Sequence, residues 1–448
     1  MKRAFGILAG LVVSACFVDA SSAAQKLSLK EAISMAMEKN NQVRASGFNA
    51  DAARQGVAIA GSHYYPNVMF EESLTGSNSP TQTFMMKLDE GRFTNNDFQI
   101  NNLNHPATWQ NFRTALSLQQ PIYNPSLGPA REMAMKAAEA ASLGAAATKQ
   151  DIAFQVFGLY LDIQKAEAYL KTAEEAVADA REHARLATVR NDSGVGLRSD
   201  QLMARTQLSF AEQQSITALN NLTLAKMQLA ITIGLEDGES VEAADPMGPT
   251  FVTLQPDELD KIALEKRSDL QQTRANAEIA TAGLKLARNA YLPMVDAFAS
   301  YQLNDKDAPF GADNDSWLAG VSLKWQIFDG FRRGHERERA AASRSAADEM
   351  LAGKTKQIKF QIQESYLRRE EMGKRLEVAR HALEDAEESV RLISKRFENS
   401  LATMIELLDA QTALNQTRAN LVETEANYAL ASGRVYYTAG IFTKEILK

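Results

Sequence analysis

A heptad pattern of apolar and small residues runs through the second half of the chain, from Ile358 to Phe397. Spacings of four and three residues alternate, so these positions stay on one side of a long helix. They are Ile358, Ile362, Ser365, Met372, Leu376, Ala379, Leu383, Ala386, Val390, Ile393 and Phe397. Arg369 is the single charged residue on this seam. The pattern stops after Phe397 and resumes at Met404, which predicts a long helix, a tight tip and a return helix.

The same pattern occurs 206 residues earlier, in the same phase. Its positions are Ile152, Val156, Leu159, Ile163, Ala166, Leu170, Ala173, Val177, Ala180, Ala184 and Ala187. A matching break and return helix follow, so the chain is predicted to be a tandem duplication. The predicted long helices cover 126–190 and 331–398, the tips 191–199 and 399–403, and the return helices 200–233 and 404–438. No proline lies between Pro129 and Pro246 or after Pro309, which suits long helices.

Each half also contains two stretches in which apolar and polar residues alternate, typical of strands with one apolar face. They cover about 67–75 and 112–120 in the first half, and 295–303 and 317–326 in the second. Nine residues is the length of a transmembrane β-strand. The polar stretch 76–111 is predicted to be a surface loop. The first repeat is therefore placed at 25–233, a linker at 234–256 and the second repeat at 257–448.

Composition excludes several classes of protein. Charged residues make up 23% of the chain and mean hydropathy is −0.30, which argues against a disordered tail or a multi-pass helical membrane protein. The net charge of −7, without a basic block, argues against nucleic-acid binding. The five histidines are scattered, without HExxH spacing or cysteine partners. His183 and His381 lie on polar helix faces, where solvated side chains are expected. We therefore expect no enzymatic activity, no metal site and no cofactor.

The N-terminus is typical of an export signal, with Lys2 and Arg3 before a short apolar segment. Residues 1–24 are the predicted signal peptide, cleaved before Gln25. The alternative is a lipoprotein signal at 13–16, which would leave Cys16, the sole cysteine of the chain, lipidated at the mature N-terminus.

Four strands cannot close a barrel alone, and an open sheet edge is not tolerated in lipid. An oligomer that pools its strands is the closed solution, and the helices would then extend from one end of the barrel. The fold class predicted is a mixed membrane protein: a β-barrel joined to long antiparallel coiled-coil helices. A periplasmic coiled-coil scaffold without a pore is the alternative of a different class, and the four amphipathic strands disfavour it.

The chain resembles the TolC-like family of outer-membrane efflux proteins. The resemblance rests on both strand-to-helix junctions, on residues 200–204 and 406–411 after the tips, and on the doubled layout. It implies a homotrimer with a twelve-stranded barrel in outer-membrane lipid and a periplasmic α-barrel of twelve helices. It also implies a passive exit duct of a tripartite efflux system, docked on a periplasmic adaptor and an inner-membrane pump of the RND or ABC type. A type I protein-secretion duct is the alternative within the family.

The resemblance also suggests functional residues at the tips. It implies adaptor contact at Gly194, Val195, Gly196, Ser400, Leu401 and Ala402. It implies acidic rings that narrow the pore at Glu406 and Asp409, with Asp200 in the matching place of the first copy. Simpler interpretations remain open: glycines at a turn that requires positive φ, and acids that complement a helix dipole. Some relatives have a gate-locking arginine where this chain has Ala402, so the bonds that close the gate are not predicted.

Overall fold

The computed structural model describes residues 25–236, 241–246 and 254–446. The predicted signal peptide, including Cys16, and parts of the predicted linker lie outside these ranges. The first half contains β1 (Gln25–Leu27), α1 (Leu29–Lys39), α2 (Asn41–Ser62), β2 (Asn67–Ser77), α3 (Pro80–Asp89), a 3-10 helix (Asn95–Phe98), α4 (Ile100–Asn104), β3 (Trp109–Tyr123), α5 (Leu127–Asp192) and α6 (Arg198–Ile233). The second contains β4 (Val241–Ala243), α7 (Pro256–Lys266), α8 (Ser268–Asn289), β5 (Met294–Asp305), β6 (Asn314–Lys324), α9 (Arg332–Glu398), α10 (Met404–Thr438) and α11 (Phe442–Ile446).

The strands β2, β3, β5 and β6 form one antiparallel sheet in that order. One cross-strand row consists of Phe70, Leu116, Tyr301 and Trp317, all exposed. A second row lies three residues away along each strand, on the opposite face, and consists of Ser73, Arg113, Asn304 and Asn314. Because side chains alternate between faces, the sheet has an apolar face and a polar face. Both outer strands, β2 and β6, have a free edge in the single chain.

The helices lie side by side in the same order as the strands to which they are connected. Next to the sheet, α5 packs between α2 and α8, and α8 packs against α9. Further from the sheet, α6 and α10 both pack on α5, and α10 also packs on α9. The chain is therefore a wall about four helices wide, with α2 and α6 at one edge and α9 at the other.

A belt of small elements crosses the middle of this wall. The strand β1 pairs in parallel with β4, and the Tyr160 hydroxyl of α5 donates to the Leu27 carbonyl at 3.0 Å. The largest buried cluster lies here and contains Ile33, Ile152, Val156, Tyr160, Ile163, Leu229, Ile233, Leu259, Leu270, Ile358, Ile362, Val435 and Phe442. Large apolar residues concentrate where belt and wall meet, because that is the thickest part of the molecule.

Most helix bounds lie within two residues of the predicted ones, and three other regions differ. The strands β2, β3 and β5 are longer than predicted, with β3 extending to fifteen residues, whereas β6 is shifted to 314–324 from the predicted 317–326. The stretch predicted as a surface loop contains α3, α4 and the 3-10 helix, so it is a folded segment. The predicted linker contains β4, because a partner strand 216 residues earlier, outside the range of local patterns, satisfies its backbone. Within the described ranges, no helix combines the length and apolar character needed to cross a membrane.

Candidate functional site: the two helix tips

The first tip joins α5 to α6 through residues 193–197. Gly194 has φ +78°, a left-handed conformation that favours glycine. Gly196 has a different requirement, because a Cβ there would lie 2.8 Å from the Cβ of Arg190 and 3.0 Å from its carbonyl carbon. The helix α6 then begins after Leu197, which provides no side-chain cap. This tip therefore depends on two glycines for its shape.

The second tip has the same length of turn but a different chemistry. Ser400, in the place of Gly194, adopts φ +58° despite its side chain. Thr403 caps α10: its hydroxyl accepts from the backbone N–H of Glu406, and the Glu406 carboxylate accepts from the N–H of Thr403 at 2.6 Å. This reciprocal capping box fixes the start of the return helix. The backbone N–H of Thr403, followed by its hydroxyl, lowers the pKa of Glu406 below its usual range.

One arginine joins the two tips. The guanidinium of Arg190, at the end of α5, donates to the Phe397 carbonyl at 3.0 Å and to the Ser400 hydroxyl at 2.9 Å. It also lies over the Phe397 ring, 4.7 Å from the centroid. Sequence comparison of the two copies gave no sign of this contact, since its partners are a carbonyl and a serine rather than an acid. Arg198 donates instead to Gln201, three residues along its own helix.

Below the tips, a second apolar cluster holds the two hairpins together. Its buried members are Ala184, Ala187, Ala204, Phe397, Met404, Leu407 and Leu408. Three of the seven are alanines, so the helices can approach closely. At the ends of the hairpins, in contrast, Val195 and Leu401 are 74% and 69% exposed. Each tip therefore presents an unpartnered apolar side chain.

The three acids predicted near the pore have different surroundings. Glu406 is occupied by the cap of α10, and Asp200 is approached by the hydroxyl of its neighbour Ser199 at 3.4 Å. Asp409 is exposed and lines a groove between α6 and α10, together with Ile405 and Leu202. The prediction that Glu406 and Asp409 form rings remains a prediction, and the groove favours Asp409.

A larger groove lies on the same face of the wall, further from the tips. Further along, α6 and α10 flank α5 and enclose about 930 Å³. Its lining mixes apolar residues, among them Leu159, Phe210 and Leu224, with the polar residues Asp162, Lys165, Thr172, Gln213, Thr217, Asn221 and Gln228. Tyr160 and Gln164, which bind the belt, lie on the other side of α5. The wall therefore has one face covered by the belt and one bare face, whose groove has polar and apolar lining residues.

Among the described residues, Arg369 and His183 of the wall have buried nitrogen atoms without a hydrogen-bond partner. The Nε of Arg369 is buried without a hydrogen bond, although its Nη2 lies 3.5 Å from the Tyr428 hydroxyl. Both ring nitrogens of His183 are buried and unbonded, which contradicts the expectation of a solvated histidine.

The outer membrane efflux protein family model matches residues 32–235 and again 259–440. The chain belongs to this family. Its location is accordingly the outer membrane, and the match repeats in the two halves that carry the two hairpins.

Individual relatives agree with this assignment. TolC of Escherichia coli is 22% identical over all of this chain and 88% of its own length. AprF of Pseudomonas aeruginosa, an alkaline protease secretion protein, is 21% identical over 94% of this chain and 86% of its own. The chain spans only 65% of the length of another curated relative and 43% of a further one.

Among solved structures, CusC superimposes with a TM-score of 0.79 at 17% identity, covering 93% of this chain and 92% of its own. At that identity the comparison concerns the fold alone. The predicted combination of a helical barrel and a β-barrel is confirmed as the fold class.

Proposed function

We propose that this chain is the outer-membrane exit duct of a tripartite efflux system. The observation that carries the proposal is that the sheet and the helical wall each have two different faces. The sheet has an exposed apolar face and a polar one, and the helical wall has a belt-covered face and a bare face with a groove that polar side chains line among apolar ones. An apolar exterior with a polar interior is the requirement for a water-filled barrel in lipid.

Closing the barrel requires further copies of the chain, and the free edges of the sheet support such an assembly. The strands β2 and β6 are unpaired at their outer sides, and lipid does not satisfy backbone groups. The helices at the same two edges carry exposed apolar side chains away from their packed faces. They are Ile216, Met227 and Ile231 on α6, and Phe360, Leu367, Val378 and Leu392 on α9. Three copies joined edge to edge give twelve strands and a homotrimer.

In such a tube the belt lies outside and the polar grooves line the lumen. The tips then form the periplasmic end, where Arg190 holds the two hairpins together and Asp409 contributes a ring of three carboxylates. Carboxylate rings favour cations. Opening requires the hairpins to separate, so breaking the Arg190 bonds is one of its costs.

The partners follow from what the duct lacks. No glycine-rich phosphate loop occurs in the sequence, and the proposal assigns the supply of energy to a pump in the inner membrane. The exposed Val195 and Leu401 at the ends of the tips, with the turn residues Gly194, Gly196, Ser400 and Ala402, form the proposed contact with a periplasmic adaptor. Apolar anchors of this kind are typical of interface centres.

A type I secretion duct is the second candidate. The observation in its favour is the likeness to AprF, which is named for protease secretion. Both candidates share the same trimer, tips and passive lumen, and differ in the pump and the cargo.

The first prediction concerns trimer closure. Ile216→Asp introduces a charge at the free edge of α6, whereas Thr217→Asp places the same charge on the neighbouring groove-facing residue. We expect I216D to prevent trimer formation and T217D to preserve it, since only the first charge would be buried against the next copy. Native mass spectrometry in detergent measures the oligomer, and planar-bilayer recording of the trimer measures conductance.

Two outcomes would contradict the proposal. A trimeric, heat-modifiable wild-type protein without conductance would favour the scaffold. Trimers of I216D as stable as those of T217D would show that α6 does not form the contact between copies.

A further inference from the structure

The segment between β2 and β3 lies over the polar face of the sheet, at the end away from the helices. Asn314, in the row with Arg113 and Asn304 on that face, donates from its side chain to the Asp89 carbonyl at 3.0 Å. The helix α3 packs against both β3 and β6, which are separated in the sheet by β5. It therefore reaches across the sheet on the side that becomes the lumen.

This segment has a core of its own. The rings of Phe84 and Phe93 meet edge to face with centroids 4.5 Å apart, and Phe98 packs on Phe93 at 5.0 Å. Lys87 donates to Asp97 at 2.6 Å. That bond, followed by the Thr94 hydroxyl, lowers the pKa of Asp97 to about 2. Such internal contacts indicate a defined shape rather than an open loop.

Trp109, at the start of β3, anchors the segment to the rim. Its indole N–H donates to the carboxylate of Glu90 at 2.8 Å, and Glu90 is 1% exposed. The ammonium groups of Lys87 and Lys306 lie 4.5 and 3.9 Å from the centroid of the indole ring. Lys306 belongs to the β5–β6 loop, so the indole contacts both loops.

A clasp of charges joins the same two loops. Arg92 donates through Nε to Asp313 at 2.6 Å, and its Nη2 lies 2.9 Å from a carboxylate oxygen of Asp307. Asp305, Asp307 and Asp313 bring their carboxylates together at this point. The guanidinium of Arg92 neutralises part of that charge, so the clasp depends on it.

We propose that residues 80–104 form a plug that narrows the external mouth of the duct and is held in place by the Arg92 clasp. The inference rests on the proposed trimeric duct, in which three plugs converge toward the axis. On α3, Thr83 and Met86 are buried, while Met85 and Leu88 are 50% and 43% exposed. These apolar side chains border the remaining opening, and apolar constrictions resist wetting. The duct thus has a constriction at each end.

The test measures access from outside to the lumen below the plug. Ser300→Cys places a thiol on the polar face of β5, facing Ser117 in the sheet. A membrane-impermeant maleimide, with intact cells, reports the rate at which this thiol is reached. Phe98→Cys, on the exposed surface of the plug, is the matched control. The periplasmic tips do not limit this measurement.

Arg92→Asp opposes the three aspartates and should release the clasp, whereas Arg92→Asp with Asp313→Arg exchanges the two charges. We expect S300C labelling to be at least about tenfold faster with R92D, because loss of even one hydrogen bond between charged groups corresponds to about that factor. Labelling should return toward the wild-type rate in the exchange. Labelling of F98C should stay constant.

Equal labelling of S300C in all three backgrounds would overturn the plug. So would faster labelling that the charge exchange does not reverse, because the clasp would then not be the cause. Failure of the duct itself is separate and shows as absence of conductance in the bilayer experiment.

Discussion

The two tips began as one sequence and now differ in how they hold their shape. The first requires glycine twice, at Gly194 for its φ and at Gly196 for space, and its return helix starts without a cap. The second has Ser400 and Ala402 at the equivalent positions and starts its return helix with a capping box. Backbone hydrogen bonds close both turns, so the difference is that the first turn requires two glycines and the second adds a side-chain cap.

The two tips also contribute different groups to the contact between them. The first tip supplies the cation, Arg190, and the second supplies both acceptors, the Phe397 carbonyl and the Ser400 hydroxyl. Ser400 offers its hydroxyl from a left-handed backbone that a glycine would adopt more easily. Serine at position 400 therefore provides a hydrogen-bond acceptor for Arg190 that a glycine would lack.

The largest effect is expected from removing the link between the tips. Arg190→Ala loses two hydrogen bonds and the contact with the Phe397 ring, about 2–3 kcal/mol in total after allowance for solvent exposure. We expect the periplasmic end to open more often and mean single-channel conductance to rise. Arg198→Ala is the control, because Arg198 bonds only within its own helix. A conductance that responds equally to both changes would mean that Arg190 does not hold the gate.

A smaller effect is expected from the space requirement of the first tip. Gly196→Ala puts a methyl group 2.8 Å from the Cβ of Arg190, where backbone atoms also stand in the way. Forcing a group into such a contact costs about 1–3 kcal/mol. Limited proteolysis of the folded trimer should then cut faster between 190 and 198.

The reverse exchange at the second tip, Ala402→Gly, provides the control for that measurement. It removes a methyl group without creating a clash and should leave cleavage at the first tip unchanged. Wild-type protease resistance in G196A would show that the tip accommodates the methyl group.

What the sequence predicts here depends on the range of the interaction. The heptad seams and the strands follow from residues a few positions apart, so the helical hairpins, the sheet and the family were within reach. The link from Arg190 to Ser400 joins residues 210 apart, and the pairing of β1 with β4 joins residues 216 apart. Neither contact leaves a periodic pattern. The folded segment 80–104 was missed for a similar reason, since its short helices lack a repeat.

The smallest effect separates the two acids of the second tip. Asp409 lines the α6–α10 groove, so Asp409→Asn should lower the preference for cations, by roughly twofold in permeability ratio. Glu406→Gln should leave that ratio near the wild-type value and weaken the start of α10, because this carboxylate accepts from Thr403.

The stability of the second tip should also depend on pH through Glu406, in a direction that can be predicted. The pKa of Glu406 is lowered in the folded tip, so its contribution to stability is present above the ordinary carboxyl pKa and is lost as pH falls through the lowered value. Protease protection of the second tip should therefore decline below about pH 4.5 in the wild type and depend less on pH in E406Q. If E406Q lost as much cation preference as D409N, both carboxylates would lie in the pore, and capping of α10 would not be the main role of Glu406.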